Sequence, residues 1–185
     1  MTQDIFPRFP RFATINMMSL IEPLIPIPTN HSFGDRSVAA WDEGCALWPT
    51  LSPLTANYPG FSLWYWTKVL PGLLKGTRHI LHVGGSSRPS GIAILKREAN
   101  ERKICTLWVA DSNRGRGVGR DLLKEAIDWL DDTHPLFTVP AERHDEFKPL
   151  MQRLCFKETA RLSSVYRHGV VEHVYNGRLD IAAHS

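Results

Sequence analysis

The segment Lys103 to Leu123, KICTLWVADSNRGRGVGRDLL, concentrates the chemistry of this chain. An apolar run, Ile104 to Val109, leads through four residues into Arg114-Gly115-Arg116-Gly117-Val118-Gly119. Glycine lets a backbone turn sharply and approach a ligand, because no Cβ stands in the way. If a helix starts there, its first turn presents N–H groups without intrahelical partners at the positive end of the macrodipole. Arg114, Arg116 and Arg120 add cationic donors. Together they form a cradle for an anion, above all a phosphate or pyrophosphate. Two phosphate-binding patterns fail. A P-loop needs Lys and Ser or Thr after its last glycine, where Arg120 and Asp121 stand. A dinucleotide fingerprint needs its glycines directly after the strand and a third glycine where Arg120 sits.

The flanking pattern predicts the elements that hold this turn. Val118, Leu122, Leu123, Ala126, Ile127 and Leu130 follow a 3.6-residue period and predict a helix over 117–130. Before the turn, short apolar runs at 79–83, 91–95 and 104–109, separated by Gly84-Gly85-Ser86-Ser87 and Ala99-Asn100, read as a meander of strands. After it come a strand at 137–139, a helix at 144–154, and a hairpin of 156–167 with 170–175 around His168-Gly169. Val38, Trp41, Cys45 and Trp48 predict a helix over 34–48, and a second covers 60–70. An edge strand at 21–27 tolerates the prolines there. The order βααβββαβαββ describes one mixed α/β domain. Residues 1–16 are expected to be a poorly ordered lead to a domain over 17–185, with Met17 or Met18 an alternative start.

Composition excludes more than it assigns. The 185 residues are 43% hydrophobic and 22% charged, with a formal charge of +3, which suits one soluble domain. Cys45, Cys105 and Cys155 form no CxxC pair, the histidines are scattered, and no HExxH occurs, so neither a disulfide framework nor a metal site is expected. The apolar stretch from Met17 to Ile27 is broken by Ser19, Glu22, Pro23 and Pro26, too short for a membrane span and without a signal-peptide cleavage pattern. A cytoplasmic location follows as an expectation. The charge is uneven. Between Phe61 and Lys124 twelve basic side chains face four acidic ones, a net of +8, which leaves −5 for the rest.

The turn matches [QR]-x-x-G-x-[GA], and with its strand and helix it resembles the acetyl-CoA-binding motif of the GCN5-related N-acetyltransferase (GNAT) family. The likeness runs from about Gly91 through Phe156. It implies a mostly antiparallel sheet of six to seven strands with a central parallel pair that splays apart, flanked by about four helices. It also implies that acetyl-CoA lies in the splay between Ile104–Val109 and Phe137–Val139. Leu107, Trp108 and Val109 would offer backbone groups to the pantetheine arm, and Arg114, Gly115, Arg116, Gly117, Val118, Gly119 and Arg120 would hold the pyrophosphate. The activity implied is acetyl transfer to a primary amine in a ternary complex. The second half of the family pattern departs: His144 stands in its Asn position, Leu150-Met151 replace the aromatic-Tyr pair, and Val139 replaces an acidic residue.

The usual acid and base therefore do not transfer, and the residues must supply others. An amine has to lose a proton before it attacks a thioester, which requires a base within reach. Glu142, His144 and Asp145 follow the second splayed strand and are the candidate bases, His144 doubling as a cofactor contact. Tyr166 and Tyr175 on the terminal hairpin are candidate acids. The aromatic run Tyr58 to Trp66 lies in the region expected to face the acceptor, with core packing as its plainer role. Two alternatives stay open: an acceptor linked to RNA, such as aminoacyl-tRNA, which the basic middle segment motivates, and a CoA-binding module without catalysis. Edge pairing of the terminal hairpin would allow a homodimer.

Overall fold

Helix α1 (Asp35–Leu51) opens the described part of the computed structural model, which covers residues 35–179. The chain divides into two units, Met1–Ser32 and Phe33–Ser185, and these residues all belong to the second. The expected lead and the strand at 21–27 lie outside the described residues. After a 3₁₀ turn at Ser52–Ala56 come α2 (Phe61–Trp64) and α3 (Leu70–Leu74), joined without a break by a π turn, Tyr65–Val69. The Leu70 N–H donates to the Tyr65 carbonyl, five residues back. Pro71 next to it has no N–H to give, so the wider turn sits where the regular ladder is already interrupted.

Six strands form one sheet: β1 (Arg78–Val83), β2 (Gly91–Glu98), β3 (Glu101–Val109), β4 (Leu136–Pro140), β5 (Glu158–Ser163) and β6 (Val171–Tyr175). Their spatial order is β1-β2-β3-β4-β6-β5. Every pairing is antiparallel except β3 with β4, which α4 (Val118–Leu130) connects as a crossover. Helix α5 (His144–Arg153) follows β4. This is the mixed sheet anticipated, with four helical segments around it. The terminal hairpin is broader at its tip than the sequence indicates: Ser164 N–H donates to the Val170 carbonyl at 2.8 Å, so the loop starts at Ser164.

Alternating strand residues feed two apolar layers. Leu81, Ala93 and Leu95 pack with Leu122, Leu123 and Ala126 of α4 and Met151 of α5. Ile80, Ile92 and Ile94 pack with Leu47 and Leu51 of α1 and with Tyr65, Val69 and Leu70. The aromatic run therefore serves the second core, with Trp48 against Phe61, Tyr65 and Trp66 at centroid distances of 6.3, 5.1 and 5.5 Å. No helix among the described residues is long and apolar enough to cross a membrane.

Two local features open the sheet at its centre. Opposite Ile94 and Leu95 the register of β3 gains a residue, since Ile94 faces Thr106 while Leu95 faces Ile104. Cys105 is thus bulged, and a bulge bends its strand. The parallel ladder then holds only at Lys103–Leu136 and Ile104–Phe137. Beyond it, β3 continues along β2 to Val109 and β4 along β6 to Pro140, so the central strands diverge toward their C-terminal ends.

Candidate active site

The glycine turn stands at the mouth of this gap. Gly115 and Gly117 both have positive φ, +73° and +88°, and Gly117 caps the N-terminus of α4. A Cβ on Gly117 would be left-handed and 3.2 Å from Arg120 Nη2, so the Arg120 guanidinium lies over the turn. The first α4 bond runs from Asp121 N–H to the Gly117 carbonyl, 3.0 Å, which leaves the N–H groups of Val118, Gly119 and Arg120 to the open side. Arg114 pairs with Asp111 at 2.9 Å and Arg120 with Asp121 at 3.0 Å, while exposed Arg116 has no ion pair among the described residues. Open N–H groups, a glycine floor and exposed cations are a donor set that fits a pyrophosphate.

Close packing behind the turn depends on Gly91. A Cβ there would come within 2.6 Å of Val118 Cγ1 and 2.8 Å of Leu122 Cδ1. The start of α4 rests on the bare backbone of β2. Leu107 packs toward the α4 core and Trp108 toward the α1–α3 core, so β3 carries a side chain to each face as it reaches the turn. Ala110 N–H donates to Ser90 O at 2.9 Å, toward β2, and alternation turns the Val109 N–H the other way, into the gap.

The remaining sequence-derived residues separate into two neighbourhoods. In one, His144 Nε2 and the Tyr175 hydroxyl are 2.9 Å apart, the His144 and His173 rings stack at 3.7 Å, and His173 Nδ1 meets Glu158 at 3.1 Å. Burial and the neighbouring His173 hold His144 below the ordinary histidine value. His144, His173 and Glu158 could in principle ligate a metal. The rings lie within 12° of parallel, however, so an ion in the plane of one lies well outside the plane of the other. Asp145 is fully exposed beside them, and Val139 is core.

The other neighbourhood centres on Arg167. Its guanidinium pairs with Glu142 and sits over the Tyr58 ring at 4.9 Å. Although burial works against it, the Arg167 hydrogen bond and charge hold Glu142 below the usual carboxylate range. Lys103, buried in β3, donates to the Tyr166 hydroxyl at 3.0 Å. Beside them lies Glu172, which the sequence reading passed over. It is 1% exposed, and burial pushes its carboxyl up to about 7, Arg167 opposing the shift. Glu142 and Tyr166 thus belong with Glu172, while His144 belongs elsewhere. The signal was a lone carboxylate inside the apolar strand VEHVY.

Residues 70–176 match the acetyltransferase (GNAT) domain, more than half of the chain. The chain belongs to the GNAT family of acetyltransferases. Three solved GNAT-type structures show what it resembles. A GNAT-family protein from Desulfovibrio desulfuricans is 18% identical over 60% of this chain and 74% of that one, TM-score 0.49. The ribosomal-protein-S18-alanine N-acetyltransferase from Escherichia coli is 18% identical over 54% and 67%, TM-score 0.47. An acetyltransferase from Bacillus subtilis in complex with CoA is 13% identical over 56% and 79%, TM-score 0.45. No curated protein sequence matches significantly.

Proposed function

We propose that the chain transfers the acetyl group of acetyl-CoA to a primary amine by direct attack in a ternary complex. The observation that carries this reading is the Arg114–Arg120 turn at the open end of the splayed β3–β4 pair. Acetyl-CoA would supply an activated thioester there. The N–H groups of Val118, Gly119 and Arg120, with Arg116, would hold its pyrophosphate, and the Leu107–Val109 edge of β3 its pantetheine arm. The Val109 N–H is aimed to stabilise negative charge on a carbonyl oxygen in the gap. Calorimetry with acetyl-CoA should show one-to-one binding that Gly117→Glu abolishes, because the new side chain would be left-handed and would fill the cradle with negative charge. A panel of primary amines should then release free CoA. Absence of acetyl-CoA binding by the wild type overturns the reading.

The basic middle segment favours a second reading, an RNA-linked amine. Arg78, Lys96 and Arg114 pair with Glu98 and Asp111, acids already subtracted in the +8, so the excess rests on the other cations of the segment, of which Arg97 lies on Trp129. An RNA-linked acceptor would show binding whose affinity falls steeply with salt. A CoA-binding module without catalysis would bind acetyl-CoA and turn over no amine.

A further inference from the structure

The amine-acetylation reading leaves open which group takes the acceptor's proton, and the following rests on that reading. Glu172 faces Pro140, the last residue of β4, in the β4–β6 ladder, one strand away from the open end of the gap. Its Oε1 is buried without a hydrogen-bond partner. The Nε of Arg167, on the turn between β5 and β6, is buried in the same condition. Buried polar groups are nearly always paired, because an unmade hydrogen bond is costly. Here an acceptor and a donor stand open in one neighbourhood. Four further groups face it: Tyr58 from the α1–α2 connection, Lys103 from β3, Glu142 from the β4–α5 connection, and Tyr166 on the hairpin loop, bonded to Lys103. Tyr58 also packs in the α1–α3 core, so this cluster occupies the side of the sheet where the acceptor is expected.

The other carboxylates and the histidine are poorer bases. Glu142 is neutralised by Arg167 and held below the usual range, so it has little affinity for a proton. Asp145 projects fully into solvent, and His144 is engaged by Tyr175 and His173. Among the described residues, Glu172 alone combines burial, an open oxygen and a position beside the gap.

We propose that Glu172 is the general base that receives the first proton of the acceptor ammonium, with the nearby charge of Arg167 limiting its basicity. The proton moves from nitrogen to Glu172 Oε1. The freed lone pair forms the C–N bond at the thioester carbon, and the C–S bond breaks. The second nitrogen proton ends on the CoA sulfur, and Glu172 returns its own to solvent. An elevated carboxyl affinity for protons, near neutral pH, matches this task.

Infrared difference titration of the free full-length protein should show a protonated carboxyl band with a midpoint near 7 that Glu172→Gln removes. With the best amine of the panel, Glu172→Gln should lower kcat by at least about 100-fold, with acetyl-CoA affinity by calorimetry unchanged, and Glu172→Asp should restore part of the rate. Arg167→Gln should move the infrared midpoint and the ascending limb of kcat/KM to higher pH, which a merely structural role would not do. The proposal is overturned if every carboxyl band titrates below pH 5, whatever the acceptor. It is equally overturned if Glu172→Gln keeps its rate within about threefold of wild type, far short of a lost general base. Should Glu172→Gln fail to fold, the wild-type infrared midpoint decides. Wild-type protein that binds acetyl-CoA but acetylates no amine overturns the transfer reading, and the base with it. Turnover of an amine by the wild type distinguishes that case from a failure of the Glu172 assignment alone.

Discussion

Glu172 imposes a folding cost whose sign can be worked out. An ordinary glutamate carboxyl titrates near 4.5, and in the fold this one is pushed up to about 7. Below pH 4.5 both folded and unfolded chains hold the proton, and no charge is buried. As pH rises through the interval up to about 7, the unfolded chain gives up its proton first and is favoured. A shift of that size corresponds to at most about 3 kcal/mol. Denaturant melts should show Glu172→Gln gaining stability over wild type between pH 5 and pH 8, by up to about that amount, while it loses activity. A stability difference independent of pH would contradict this assignment. Tyr65 is the opposite kind of polar residue: its hydroxyl donates to the Gly44 carbonyl at 2.8 Å inside the α1–α3 core. Tyr65→Phe removes that bond and should cost about 0.5–1.5 kcal/mol in the same melts at every pH.

At the scale of elements, the site depends on how α4 is mounted. Its apolar stripe was legible from periodicity alone, and Leu122, Leu123, Ala126 and Leu130 are buried as the spacing requires. The glycines of its first turn were legible as well, because a left-handed cap is a local demand on the backbone. Gly91 was legible only as the start of a strand. Its role as the floor under Val118 and Leu122 depends on a partner about thirty residues away. Gly91→Val should lift the start of α4 from β2, cost about 1–3 kcal/mol in thermal unfolding, and weaken acetyl-CoA binding in calorimetry. The π turn at Tyr65–Val69 was likewise invisible. Helical spacing places Phe61 and Tyr65 on one face, whereas the wider turn also brings Trp66 to Trp48.

Across the described residues, one sheet separates two apolar layers, and its single parallel junction gives way beyond two residue pairs. The anion cradle lies on one side of that opening and the Glu172–Arg167 neighbourhood beside the other. Because the cradle relies on exposed arginines, acetyl-CoA affinity should fall as potassium chloride is raised, and Arg116→Gln should reduce that dependence. Neutral substitution at Lys75, far from the turn in sequence and outside the cradle, should leave the dependence intact. The sequence by itself determined most of the elements, the strand–turn–helix proposed to hold an anion and the family the chain belongs to, since each is written in residues within about twenty positions of one another. Only the tertiary structure decided which polar groups meet. Glu172 is made basic by removal from water and set among Tyr58, Lys103, Glu142 and Arg167, which come from separate elements. Desolvation and charge act through space, so no local pattern in the strand could disclose them.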